Sequence, residues 1–201
     1  MIDLKNYATS ESQGQKLSKT DYLDIAVCGE MQPDGSLTPS VEALLFKARE
    51  LAEPDNVKVS LLVYGFRIAR KARSLFRFGA DRVFVYDDAL FQPANPDVLG
   101  AVFAHFFENY KPAVVLFADT PEGWTALQSA AGRTGVSVAE RPSAFTIRSN
   151  KDLVFEQPEF SRVADTRPQL VLLAADHFPQ AQPDDGRKGE LILCELPEAL
   201  R

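Results

Sequence analysis

Apolar runs of strand length alternate with segments of helical period from residue 22 to about residue 140. This order predicts an α/β fold in which helices cover both faces of a mainly parallel sheet. Two features of the runs support the prediction. Each run is almost continuously apolar instead of alternating, which is how a strand buried on both faces reads. Each is also separated from the next by enough chain for a crossover, and crossovers between parallel strands are right-handed. After about residue 140 the pattern changes to short apolar runs joined by turns. That change predicts antiparallel or edge strands added to the same sheet.

The first strand is expected within residues 22–29 (YLDIAVCG), ahead of the turn-rich EMQPDGSLTPS. A helix follows from Pro39 or Ser40. Val41, Leu44, Leu45, Ala48, Leu51 and Ala52 recur at helical spacing, while Glu42, Lys47, Arg49 and Glu50 fall elsewhere. Residues 57–65 (VKVSLLVYG) are β-branched and aliphatic and read as the second strand. Residues 67–79 (RIARKARSLFRFG) read as a second helix stopped at Gly79. The strand DRVFVYDD comes next. Asn95 and Pro96 then suit the N-cap and first turn of a helix with Val98, Leu99, Val102, Phe103, Phe106 and Phe107 on its core face. Lys111 and Pro112 end it. Strand AVVLFA leads to Thr120 as an N-cap, Pro121 in the first helical position and a helix of small residues. Beyond residue 140, SAFTIRS, DLVFEQPEF, PQLVLLAA and ELILCEL read as strands.

A length of 201 residues suits one domain, here residues 21–201, preceded by a flexible polar arm over residues 1–20. The hydrophobic fraction of 45% and charged fraction of 25% are globular values. A formal net charge of -6 argues against general binding to nucleic acid or membrane surfaces. The polar opening segment does not read as a signal peptide, and no apolar run approaches the roughly 18 residues that span a bilayer. A cytoplasmic location is therefore expected. Cys28 and Cys194 lie in apolar runs without the Cys or His neighbours of a metal site or a disulfide framework.

The usual catalytic signatures, among them a P-loop, GxGxxG, GxSxG, CxxC and HExxH, do not occur. In a parallel sheet, ligands gather at the carboxyl ends of strands. That rule makes Gly29, Asp119, Thr120, Gly123 and His177 the candidate cofactor-binding residues, with Asp87, Asp88 and Asp176 at the same edge. As strand-end residues, the aspartates also read as ordinary turn formers. His105 reads as a helix histidine satisfied by a neighbour. Six cations fall between residues 67 and 82: Arg67, Arg70, Lys71, Arg73, Arg77 and Arg82. On a helix Arg67, Arg70, Lys71 and Arg77 flank the apolar stripe and read as a solvated face that could also dock an acidic partner or an anionic cofactor. Trp124 packs on the sheet edge or marks an interface. One reading of these residues is a stand-alone adenine-nucleotide-binding module; another is an enzyme using His177 with Asp87 or Asp119.

Four stretches in order carry a family resemblance: DIAVCGEMQPDGSLTPSVEALLFKARELA, FGADRVFVYDD, KPAVVLFADTPEGWTALQSAAGRTGVSV and TRPQLVLLAADHFPQA. Together they resemble the N-terminal domain of the electron transfer flavoprotein alpha subunit over about residues 23–197. The resemblance implies a three-layer, Rossmann-like fold of the adenine nucleotide alpha hydrolase type, paired with a beta-like subunit of similar fold. It implies an electron-transfer component rather than a catalyst. The family's FAD sits mainly in a C-terminal domain of the alpha subunit. No cofactor is therefore expected in this chain alone, with FAD or AMP entering through a complex with a flavin-carrying partner; a homodimer is the other assembly considered. Two positions depart from the family pattern. Trp124 stands where an arginine is usual, and AADHFP replaces the usual RPG before a hydrophobic residue and proline.

Overall fold

The computed structural model describes residues 22–54, 56–93, 95–142 and 167–201, together with the backbone of three strands between positions 144 and 163. The expected polar arm at 1–20 lies outside the described residues. Strands and helices follow in the order β1 (Ile25–Cys28), α1 (Pro39–Ala52), β2 (Val59–Gly65), β3 (Arg82–Asp87), α2 (Pro96–Tyr110), β4 (Val114–Ala118) and α3 (Pro121–Thr134). Strands β5 (Val138–Glu140), β6 (Ala144–Ile147), β7 (Leu153–Gln157), β8 (Phe160–Val163), β9 (Gln169–Leu173) and β10 (Glu190–Leu193) complete the order.

A seven-stranded sheet in the order β10-β3-β2-β1-β4-β9-β5 forms the middle layer, and all its pairings are parallel. The chain winds outward from β1 through β2 to β3, then crosses back to place β4 on the other side of β1. The resulting switch point between β1 and β4 opens a crevice at the carboxyl edge. The three-layer, Rossmann-like α/β fold is therefore as the sequence predicts.

Three departures refine the prediction. The antiparallel strands β6, β7 and β8 form a sheet of their own instead of joining the main one. Strand β9 lies inside the main sheet, since all five of its residues are buried and it needs a strand on either side. The expected second helix is a short 3-10 helix, Ala72–Phe78, closed by Gly79 at φ 106°. It starts late because Arg67 is left-handed, at φ 61°, and the Asp87 carboxylate takes the N–H groups of Arg67 and Ala69 at 2.5 and 3.0 Å.

The sheet separates two apolar cores. On one face α1 and the 3-10 helix cover Ile25, Val27, Leu61, Val63, Val83 and Leu116. On the other, α2 and α3 bury Phe84, Phe103, Phe106, Phe107 and Phe117. Phe84 meets Phe106 edge-on at 5.1 Å, and Phe103 meets Phe117 at 5.5 Å. Each such ring contributes about 2 kcal/mol through removal from water. Gly100 lets the two helices approach, because a Cβ there would lie 3.0 Å from the Ser129 carbonyl oxygen. Among the described residues no helix is long and apolar enough to cross a membrane.

Charge organises the amino edge of the sheet. Asp81, just before β3, accepts from Arg49 at 2.5 Å, from Arg187 at 2.8 Å and from the Val59 N–H at 2.8 Å. These contacts tie the end of α1, the start of β2 and the segment leading to β10. Burial opposes the Asp81 carboxylate, but the Val59 N–H and the two arginines outweigh it and hold its pKa below the ordinary 3.8. A depressed folded pKa stabilises the fold above about pH 4 and is lost as pH falls through it. Asp81→Asn is expected to lower unfolding free energy by about 2 kcal/mol at neutral pH, with the gap to wild type closing in acid. Urea unfolding across that pH range checks both statements.

Candidate functional site

The candidate site is the carboxyl-edge crevice between β1 and β4. Its floor starts at Gly29, whose N–H donates to the Leu62 carbonyl at 2.7 Å. A Cβ at Gly29 would stand 2.6 Å from Val63 Cγ1, so glycine is needed there for close approach to β2. The next residue, Glu30, is buried to 8% exposure and turns its carboxylate into the crevice. It is a functional candidate that the sequence reading missed. The available signal was a charged residue directly after a buried strand and a strand-end glycine.

Thr120 and Thr38 flank this carboxylate. Thr120 is the N-cap of α3: its hydroxyl accepts from the Gly123 N–H at 2.9 Å and donates to Glu30 Oε1 at 2.6 Å. Thr38 is the N-cap of α1, where its hydroxyl accepts from the Val41 N–H at 3.4 Å and its own N–H donates to the Glu30 carbonyl at 3.0 Å. Burial nevertheless raises the Glu30 pKa, against the Thr120 hydrogen bond and with help from the nearby Glu122 charge. A Cβ at Gly123 would fall 2.1 Å from the Ala118 carbonyl oxygen and 2.7 Å from Glu30 Oε1, so α3 starts hard against β4.

Asp119 lies one residue outside this group. Its carboxylate takes both Nε and Nη2 of Arg141, at 2.5 and 2.8 Å, and the hydrogen bond to Arg141 lowers its pKa. This pair spans the carboxyl end of β9, because the N–H groups of Asp119 and Arg141 donate to Leu173 and Leu172 of that strand. His177 sits in the short turn Ala175–His177 after β9 with its side chain 77% exposed, 3.9 Å from Asp176. The fold thus brings Thr120 and Gly123 together around Glu30, engages Asp119 with Arg141 and leaves His177 in solvent.

The other polar residues have structural partners. Asp87 holds the turn after β2, and Asp88 caps the turn Ala89–Phe91 through the Leu90 N–H at 2.9 Å. His105 Nδ1 pairs with the Tyr86 hydroxyl at 2.8 Å. Arg82 bridges Asp24 and Glu190 at 2.7 and 3.2 Å, Arg77 meets Asp185 at 3.1 Å, and Lys71 reaches the Asp34 carbonyl. Arg67, Arg70, Lys71 and Arg73 are exposed. Burial raises the pKa of both the Cys28 and Cys194 thiols, so neither is an activated nucleophile. Among the described residues no group of three or more His, Cys, Asp or Glu could hold a metal ion.

Against this geometry, the sequence matches the electron transfer flavoprotein domain family over residues 25–199. The chain belongs to that family. It is similar to the electron transfer flavoprotein subunit alpha of Thermoanaerobacterium thermosaccharolyticum, with 27% identity over 179 residues, 86% of this chain and 54% of the relative. It is also similar to the lactate dehydrogenase (NAD(+),ferredoxin) subunit LctC of Acetobacterium woodii, at 27% identity over 196 residues, 94% of this chain and 47% of the relative. The alpha subunit from Megasphaera elsdenii is 28% identical over 181 residues, covering 86% of this chain and 53% of the relative. The chain spans about half the length of these relatives. The alpha-subunit resemblance read from the sequence is thereby shown.

An electron transfer flavoprotein domain and a Rossmann-like fold both suggest a flavin or adenine nucleotide, and the β1–β4 crevice is where its phosphate would meet a helix N-terminus. The residues present do not fit such a group. Glu30 presents a carboxylate at that position, Glu122 adds a second negative charge beside it, and Gly123 leaves no gap against β4.

Two substitutions test the packing at this edge. Gly123→Ala is expected to cost about 3 kcal/mol of stability through the clash with Ala118, measurable by denaturant unfolding. Glu30 has a raised folded pKa, so the fold is penalised when pH rises past the ordinary 4.5 and through the folded value. Glu30→Gln should therefore melt above wild type at neutral pH, and the difference should vanish on acidification. A constant difference at every pH would show that the carboxylate charge is not the cause.

Proposed function

We propose that this chain is an alpha-subunit-like docking and scaffold domain in flavin-dependent electron transfer, joined to a beta-like subunit or another flavin-carrying partner. The observation that supports the reading is the surface around Trp124. This indole is 37% exposed at the start of α3 and borders two open grooves. One, of about 550 Å³, runs between α2 and α3 past Pro96, Gly100, Gln128 and Arg133. The other, of about 420 Å³, lies beside Asp119, Pro121 and Arg141.

A half-exposed tryptophan with clefts on both sides is the kind of anchor that dominates protein interfaces. The ion pair Asp119–Arg141 supplies a polar rim next to it. Asp87, Asp88, Asp119 and His105 are engaged in turns, caps, ion pairs and a hydrogen bond to Tyr86, while His177 lies in solvent away from Asp119, which favours a binding role over catalysis. In this reading FAD resides on the partner and colours the complex, not this chain.

Co-expression with a beta-type subunit and a flavin-domain polypeptide tests the proposal. The isolated chain is expected to be colourless, and affinity capture of the chain should retain a yellow complex. Trp124→Ala should weaken capture about tenfold or more while leaving the melting temperature nearly unchanged. Stoichiometric FAD on the isolated chain, or capture indifferent to Trp124, would overturn it.

A further inference from the structure

Helices α1 and α3 begin on opposite sides of the sheet layer, yet both have their N-termini at the β1–β4 crevice. Each is capped by a threonine whose hydroxyl accepts from its own helix, Thr38 from the Val41 N–H and Thr120 from the Gly123 N–H. A capping hydroxyl has one hydrogen left to donate. Thr120 directs it to the Glu30 carboxylate at 2.6 Å. Glu30 itself is held in place on the main chain: the Thr38 N–H donates to its carbonyl at 3.0 Å, and Gly29 beside it is bonded to Leu62 at 2.7 Å.

The carboxylate therefore lies where the positive ends of two helix dipoles converge, in a buried position at the topological switch point. A phosphate bound to an open α/β sheet takes the same place and uses the same donors. We infer that Glu30 is a built-in substitute for a ligand anion: its carboxylate holds the N-cap of α3 and its carbonyl the N-cap of α1, latching the two helix starts together and closing the crevice to phosphate-bearing molecules. The latch is a positioning device, and it stands independently of the docking role proposed above.

Three features of the site agree with this assignment. A ligand could reach the start of α3 only by displacing Glu30, because even a Cβ at Gly123 would lie 2.1 Å from the Ala118 carbonyl oxygen and 2.7 Å from Glu30 Oε1. The Thr120 hydroxyl has no second hydrogen to offer a phosphate oxygen. Glu122, in the first turn of α3, repels any additional anion.

Titration of the 201-residue chain with inorganic phosphate and with AMP, read by melting temperature and calorimetry, tests the inference. Wild type is expected to show no saturable response to either. Glu30→Ala and Glu30→Ser remove the internal anion and are expected to bind phosphate at least about tenfold more tightly than wild type, with a rise in melting temperature from linkage. Either variant that folds suffices, and folding of a variant that appears only on adding phosphate supports the same conclusion. Phosphate binding to wild type, a flat response in the folded variants, or a response to AMP without one to phosphate would overturn it.

Discussion

The strands of the seven-stranded sheet all run in the same direction, and the rest of the molecule follows from this constraint. Parallel strands must be joined by crossovers, so helices cover both faces and the strands between them are dry. Every strand then ends at one edge, and the helices that follow β1 and β4 begin there. The carboxyl edge inevitably collects helix N-termini with unpaired N–H groups. Something must satisfy them. In this chain the N-cap hydroxyls of Thr38 and Thr120 take N–H groups of α1 and α3 from within, and Glu30 takes the remaining hydrogen of Thr120.

The two edges of the sheet solve different electrostatic problems. At the amino edge, Asp24 and Asp81 sit before strands and are matched by cations: Arg82 for the first, Arg49 and Arg187 for the second. These pairs connect segments distant in sequence, and Arg187 with Asp81 brings the last part of the chain to the side of β3. Asp81 also accepts the Val59 N–H, so the same carboxylate sets the start of β2. At the carboxyl edge no cation among the described residues pairs with Glu30; the Thr120 hydroxyl faces its carboxylate instead. Burial without a counter-charge is why its pKa rises, whereas Asp81, with two arginines and a backbone donor, titrates lower than usual.

Membership in the electron transfer flavoprotein domain family and the self-satisfied crevice fit one functional reading. In the proposed reading, a domain whose nucleotide position is filled by its own side chain would contribute surface and geometry to a complex. The face around Trp124 is the natural place for that contribution, since the indole lies at the first turn of α3, directly beside the helix start that Glu30 and Thr120 hold. A partner seated there would feel any change in the position of that turn.

Much of this was legible in the sequence. Continuously apolar runs such as VVLFA can be satisfied only between two covered faces, and Asn95-Pro96 and Thr120-Pro121 announce helix starts through local chemistry. Gly79 announces a stop for the same reason. Other features could not be read locally. The late start of the 3-10 helix depends on Asp87, which is 20 residues from Arg67 in sequence and reaches it only after β2 and β3 pair. The sequence by itself determined the α/β class, the principal helices and the family, because hydrophobic period and capping act over a few residues. Only the tertiary structure decided that β9 enters the sheet between β4 and β5, that β6 to β8 form a separate sheet, and that Glu30 meets Thr120. The place of β9 and the meeting of Glu30 with Thr120 depend on contacts between residues far apart in the chain, 90 positions in the second case, which no local pattern encodes. Strands β6 to β8 pair with their sequence neighbours, and what the local pattern could not say is that they stay apart from the main sheet.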